Sequence, residues 1–121
     1  MFYSETLPKS PGSAALARDL LGRVADELPS NLLDDARLLL SELVANAVEH
    51  VAEDGEIGVS IALDDGVLRV EVRDPGPGFE FVERAGDAGA SDRGWGLVFV
   101  NRVASRWAHE PGCVWFELRG P

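Results

Sequence analysis

Lysine occurs once in this chain, at Lys9, and cysteine once, at Cys113. The lone lysine, close to the start, leaves no phosphate loop of the G-x-x-x-x-G-K-[ST] kind. A nucleotide would have to bind by another route. One cysteine excludes an intramolecular disulfide and any cysteine-based zinc site. Histidine is also scarce: His50 and His109 are too few for a histidine-rich metal cage. Basic residues number 11 against 21 acidic ones, giving a net charge of −10. That balance argues against nucleic acid, whose phosphates demand clustered Lys and Arg, and equally against anionic membrane surfaces. No stretch approaches the roughly 18 uninterrupted apolar residues of a membrane-spanning helix. Met1 to Thr6 lacks a basic region followed by an apolar run, so no signal peptide is evident and a cytoplasmic location is expected.

What is present fits one globular domain over residues 1–121, with 45% hydrophobic and 26% charged residues. Phe2 to Leu7 reads as a short edge strand closed by Pro8. Ser10 and Pro11 read as N-cap and first residue of a helix, which carries Leu16, Leu20, Val24 and Leu28 at helical spacing over Ala14 to Leu28. Pro29 breaks it, and Ser30 caps a second helix running to about Val51. Ile57 to Leu63 and Leu68 to Val72 alternate in the strand period, around the hairpin signal Asp64-Asp65-Gly66. Residues 74–93 are rich in glycine with weak periodicity, and a loop of that length is usually functional or mobile. Helical spacing resumes from Leu97 to Ala104, and a hairpin around Pro111-Gly112 closes the chain. Helices first, then a hairpin, a helix and a second hairpin suggest an α/β sandwich with helices on one sheet face.

Three pieces carry chemistry. On the second helix Glu42, Asn46 and His50 recur every four residues, which places them on one ridge. Leu40, Leu43, Val44, Ala47 and Val51 form a separate apolar stripe facing the core. The Asn46 amide oxygen suits a hard cation such as Mg²⁺ shared with phosphate oxygens, and Glu42 is placed to take a proton from an attacking hydroxyl. An ordinary solvated helix face would also carry such residues, and His50 fits packing or capping as well as ligand contact. The second piece is Asp74-Pro75-Gly76-Pro77-Gly78-Phe79. Its carboxylate can accept a hydrogen bond from an exocyclic amine such as that of adenine, and its glycines permit close backbone approach. A plain proline-glycine turn would look the same. The third piece, Arg93-Gly94-Trp95-Gly96-Leu97, opens a helix whose free N–H groups favour phosphate oxygens; the glycines would equally end a loop.

As a set, these pieces resemble the GHKL ATPase superfamily, named for gyrase, a heat-shock chaperone, histidine kinases and the MutL repair protein. The closest likeness is to the small bacterial anti-sigma-factor serine/threonine kinases of the RsbW type. The matching boxes are Glu42 to His50, Asp74 to Phe79 and Arg93 to Leu97, and Val114 to Leu118 is similar to that family's last strand. The resemblance implies an α+β, Bergerat-type two-layer sandwich, its mixed and mostly antiparallel sheet carrying helices on one face. It implies ATP and Mg²⁺ as cofactors, with Glu42 as general base, Asn46 as metal ligand and Asp74 on the adenine amine. Gly76 and Gly78 would shape the base pocket, Arg93, Gly94, Gly96 and Leu97 would hold phosphates, and residues 79–93 would form a lid. Trp95 and Cys113 depart from the family pattern without removing any of these roles.

The expected function is a serine/threonine kinase that phosphorylates an antagonist protein and binds a sigma factor. The partners implied are that sigma factor and a STAS-type antagonist, and the family likeness admits a homodimer. The alternative is a nucleotide-gated anti-sigma module without kinase activity. A non-nucleotide interaction domain would need all three boxes to be accidental.

Overall fold

The computed structural model describes residues 1–50, 54–74 and 103–119, the side chain of His50 excepted. Its elements are β1 (Phe2–Pro8), α1 (Ser13–Leu20), a 3₁₀ helix (Leu21–Glu27), α2 (Ser30–His50), β2 (Glu56–Asp64), β3 (Val67–Arg73), β4 (Arg106–Glu110) and β5 (Cys113–Arg119). The strands form one sheet in the order β1-β2-β3-β5-β4, and every described pair is antiparallel. This is the expected α+β sandwich. Residues 51–53 and 75–102 lie outside the description, and with them Gly76, Gly78, Arg93, Gly94, Gly96, Leu97, the 79–93 lid and most of the Leu97–Ala104 helix. Val103 and Ala104 from the end of that segment pack against the core.

Alternation builds the sheet. Ile57, Val59 and Ile61 of β2, Leu68, Val70 and Val72 of β3, and Val114, Phe116 and Leu118 of β5 are all buried on one face. Across the ladder Val70 stands opposite Ile61 on one side and Phe116 on the other, so the apolar residues form rows. Both hairpins turn as their residues dictate. Asp65 and Gly66 both take positive φ, 50° and 76°, which is the type I′ geometry that matches strand twist. In the second turn Pro111 precedes Gly112, whose φ of 78° supplies the left-handed position that only glycine takes without strain.

The helices cover that apolar face. Leu39, Leu40, Leu43, Val44 and Ala47 of α2 are buried, and α2 packs on β3 and β5. The predicted stripe is therefore present as far as Ala47. The first helix differs from expectation in two ways. It begins at Ser13, with Gly12 at the N-cap and no side-chain cap, rather than at Ser10 and Pro11. Ser13 turns its hydroxyl inward to donate to the Pro8 carbonyl, tying the helix start to the end of β1. The buried line is Ser13, Ala17, Leu21 and Val24, while Leu16 is 47% exposed. Small residues at 13 and 17 let α1 lie close to α2, and the tighter 3₁₀ winding from Leu21 onward rotates Val24 inward.

The opposite sheet face carries no described helix and is polar. Arg69 stacks over Trp115 with its guanidinium carbon 4.0 Å from the ring centroid, and Arg106 approaches the same ring at 5.7 Å. Glu117 accepts from Arg69 at 3.3 Å and pairs with Arg106 at 3.7 Å. Arg73 donates to Ser60 at 2.9 Å and to Glu71 at 3.0 Å. Cys113, opposite Arg73, shares this face and so points away from the helix layer. Burial, and then the Glu71 carboxylate, push its thiol above the ordinary cysteine range, against the opposing pull of Arg73.

Two outcomes follow for stability and reactivity. Leu40→Ala, at a fully buried site, should cost about 2–5 kcal/mol in urea unfolding. Leu16→Ala should stay within about 0.5 kcal/mol of wild type, as an exposed site does. Equal losses at the two sites would contradict the buried line. For Cys113, the folded chain should alkylate with a pH midpoint above that of the urea-unfolded chain, because only the thiolate reacts. The corresponding stability is fully present below the ordinary thiol pKa and is lost as pH rises through the higher folded value. Coincident midpoints would show that the fold leaves the thiol unperturbed.

Candidate functional site

α2 sets the geometry of the first piece. Its 21 residues carry Glu42 and Asn46 one turn apart on the ridge beside the buried stripe. Asn46 is only 6% exposed, one of three buried polar residues in the described chain. The other two, Ser13 and Ser60, have hydrogen-bond partners for their hydroxyls. Asn46 has none for its side chain among the described residues. A buried amide left without a partner costs about 1–3 kcal/mol. An amide oxygen held there fits the donor that a hard cation takes, so the residue present suits the expected metal. Glu42, half-buried, makes no ion pair with a described residue.

Asp74 begins the second piece and follows directly on β3, the central strand of the sheet. Its backbone N–H donates to the Gly112 carbonyl at 3.0 Å. The turn of the last hairpin thus fixes the residue that opens the second box. The Pro111-Gly112 turn is plain in the residues, but its link to Asp74 is not, since no local pattern signals a bond between residues so far apart. Of the predicted site residues the structure therefore places Glu42, Asn46 and Asp74, on the helix and central strand that pack together. His50 is placed by its backbone at the end of α2.

Three comparisons bear on this arrangement. The family model described as a histidine kinase-like ATPase domain matches residues 7–118. An anti-sigma F factor from Clostridium acetobutylicum is 35% identical over 75 residues, 59% of this chain and 52% of that protein. The chain thus spans about half the length of this curated relative. Among solved structures, that of the RsbU and RsbW domains of Rv1364c from Mycobacterium tuberculosis superposes with a TM-score of 0.70 at 26% identity. That match covers 98% of this chain and 31% of the other. No described helix is long and apolar enough to cross a membrane. With the family model spanning both the α2 ridge and the closing hairpin, this chain belongs to the histidine kinase-like ATPase domain family.

Proposed function

We propose that the chain binds Mg²⁺·ATP along the α2 ridge and acts in the cytoplasm as a serine/threonine kinase. Its acceptor would be an antagonist protein of STAS type, and it would also hold a sigma factor. The observation that carries this reading is the buried Asn46 amide without a described side-chain partner, one helical turn from Glu42. Membership in an ATPase domain family implies ATP binding. The anti-sigma F factor and the RsbW-domain structure support the choice of partners.

In this reading Asn46 would hold Mg²⁺ through its amide oxygen. The bound cation would offset the negative charge of the phosphate oxygens. Glu42 would orient the acceptor hydroxyl and take its proton as the hydroxyl oxygen bonds to the γ-phosphorus of ATP and the bond from that phosphorus to the ADP oxygen breaks. Asp74, held by the Gly112 carbonyl, accepts from the adenine amine. Gly76 and Gly78 would give the base its close approach, and Arg93, Gly94, Gly96 and Leu97 would receive the phosphates beneath a lid at residues 79–93. His50 would contact the bound nucleotide from the end of α2. The acceptor serine or threonine would lie on the antagonist protein, so the reaction would be a transfer between proteins.

Substitutions separate the roles. Glu42→Gln should keep ATP affinity by titration calorimetry while phosphotransfer to the antagonist falls about 10²–10⁴-fold. Unchanged transfer would reject the base assignment, whereas ATP binding with no transfer by the wild-type chain would favour the nucleotide-gated module without kinase activity. Asn46→Ala should weaken Mg²⁺-dependent ATP binding about tenfold or more, as loss of a metal-site contact does. Without nucleotide, the same variant should be at least as stable as wild type to urea, since it removes an unsatisfied buried amide. A marked loss of stability in the nucleotide-free variant would show that Asn46 serves the fold instead.

A further inference from the structure

Pairing between β3 and β5 advances in a fixed step: Val72 stands opposite Val114, and Arg73 opposite Cys113. The same step carried one residue further sets Asp74 opposite Gly112. The bond from the Asp74 N–H to the Gly112 carbonyl, 3.0 Å long, is that next rung. The ladder thus runs past the end of β3 and takes in the residue that opens the second box. Its acceptor there belongs to a turn.

The turn fixes Gly112 from the other side. Pro111 and Gly112 lie between Glu110 and Cys113, which face each other in the β4–β5 register. Proline holds its φ at about −65°, and with it the Gly112 φ of 78° fits a type II turn. The far end of the hairpin is tied as well, where the Ser105 N–H donates to the Glu117 carbonyl at 2.8 Å. The direction of the Gly112 carbonyl therefore follows from its left-handed backbone. A β-branched residue at that φ is a steric outlier and relaxes by turning the adjoining peptides. Such a turn takes the carbonyl off the Asp74 N–H.

A carboxylate accepts from an amine only over a narrow range of distance and angle. A site built for one hydrogen bond rejects the analogue that lacks the donor, as long as the acceptor stays in place. We propose, on the reading that Asp74 meets the adenine amine, that Gly112 is a positioning residue for base selection. Its left-handed conformation and its carbonyl hold Asp74 where the carboxylate separates an amino purine from an oxo purine.

Calorimetric titration of the full chain with Mg²⁺·ATP and with Mg²⁺ and inosine triphosphate reads the preference. Inosine carries a carbonyl oxygen where adenine has the amine, so an aspartate in place favours ATP. Gly112→Val should lower the ATP-over-inosine affinity ratio about tenfold, through weaker ATP binding, the size of a lost hydrogen bond to a charged group. Gly112→Asn, which tolerates the left-handed region, should keep a ratio close to that of wild type. Gly112→Ala puts a smaller side chain in the same disfavoured region. It should shift the ratio in the same direction, and serves if the valine variant does not fold. Amide exchange of the nucleotide-free chain by NMR gives a readout apart from binding. The Asp74 N–H should exchange about tenfold faster or more in Gly112→Val, while the Val70 N–H, midway along the same ladder, keeps its wild-type rate. Equal losses of affinity for the two nucleotides, or an unchanged Asp74 exchange rate, would make Gly112 a residue of the fold alone and overturn the proposal. Asp74→Ala tests the reading beneath it. If that variant keeps the ATP preference, Asp74 does not select the base and both fall. If it loses the preference while Gly112→Val keeps it, the reading of Asp74 stands and the role of Gly112 alone is overturned.

Discussion

The burial of one face of α2 against the central strands is the constraint from which the rest follows. Leu39, Leu40, Leu43, Val44 and Ala47 lose contact with water on β3 and β5, and full burial of each leucine or valine is worth about 1.5–3 kcal/mol. Asn46 lies between Val44 and Ala47 and is carried inward with them. Its amide has no described side-chain partner, so the fold bears a local cost that the apolar neighbours offset. Native chains depart from full polar satisfaction where function requires it. The same helix holds Glu42 at the less buried margin of the ridge. A single rigid element thus presents two different polar groups at a fixed spacing.

The sheet supplies a second anchor. Asp74 follows the central strand directly, and the Gly112 carbonyl fixes its backbone from the last hairpin. The Pro111-Gly112 turn therefore has a role beyond reversing the chain. It couples the final strand pair to the start of the second glycine box. A site resting on the central strand and the longest helix is built on the stiffest parts of the domain, which favours fixed geometry over adjustment.

Much of this was legible in the residues. The strands β2, β3 and β5 alternate cleanly, and α2 shows both its stripe and its ridge, because local periodicity encodes which face is buried. Glu42 and Asn46 could be paired from their spacing alone. The first helix was misread because its inward line runs through Ser13 and Ala17, small residues that an apolar pattern passes over in favour of Leu16. The adjacency of β3 to β5, and the bond from Asp74 to Gly112, join segments distant in sequence and leave no periodic trace. The depth of Asn46 was also hidden, since a ridge pattern gives direction without giving burial.

The helix-free face illustrates a different kind of robustness. Each of Arg69 and Arg106 divides its guanidinium between the Trp115 ring and the Glu117 carboxylate, which is only 12% exposed. The ion pairs, at 3.3 and 3.7 Å, lie well inside the Debye length of about 10 Å at 0.1 M, so salt screens them only weakly, and the cation–π contacts on the indole hold beside them. As ionic strength changes, then, the outer surface of β3, β5 and β4 keeps its shape while only its field at longer range fades.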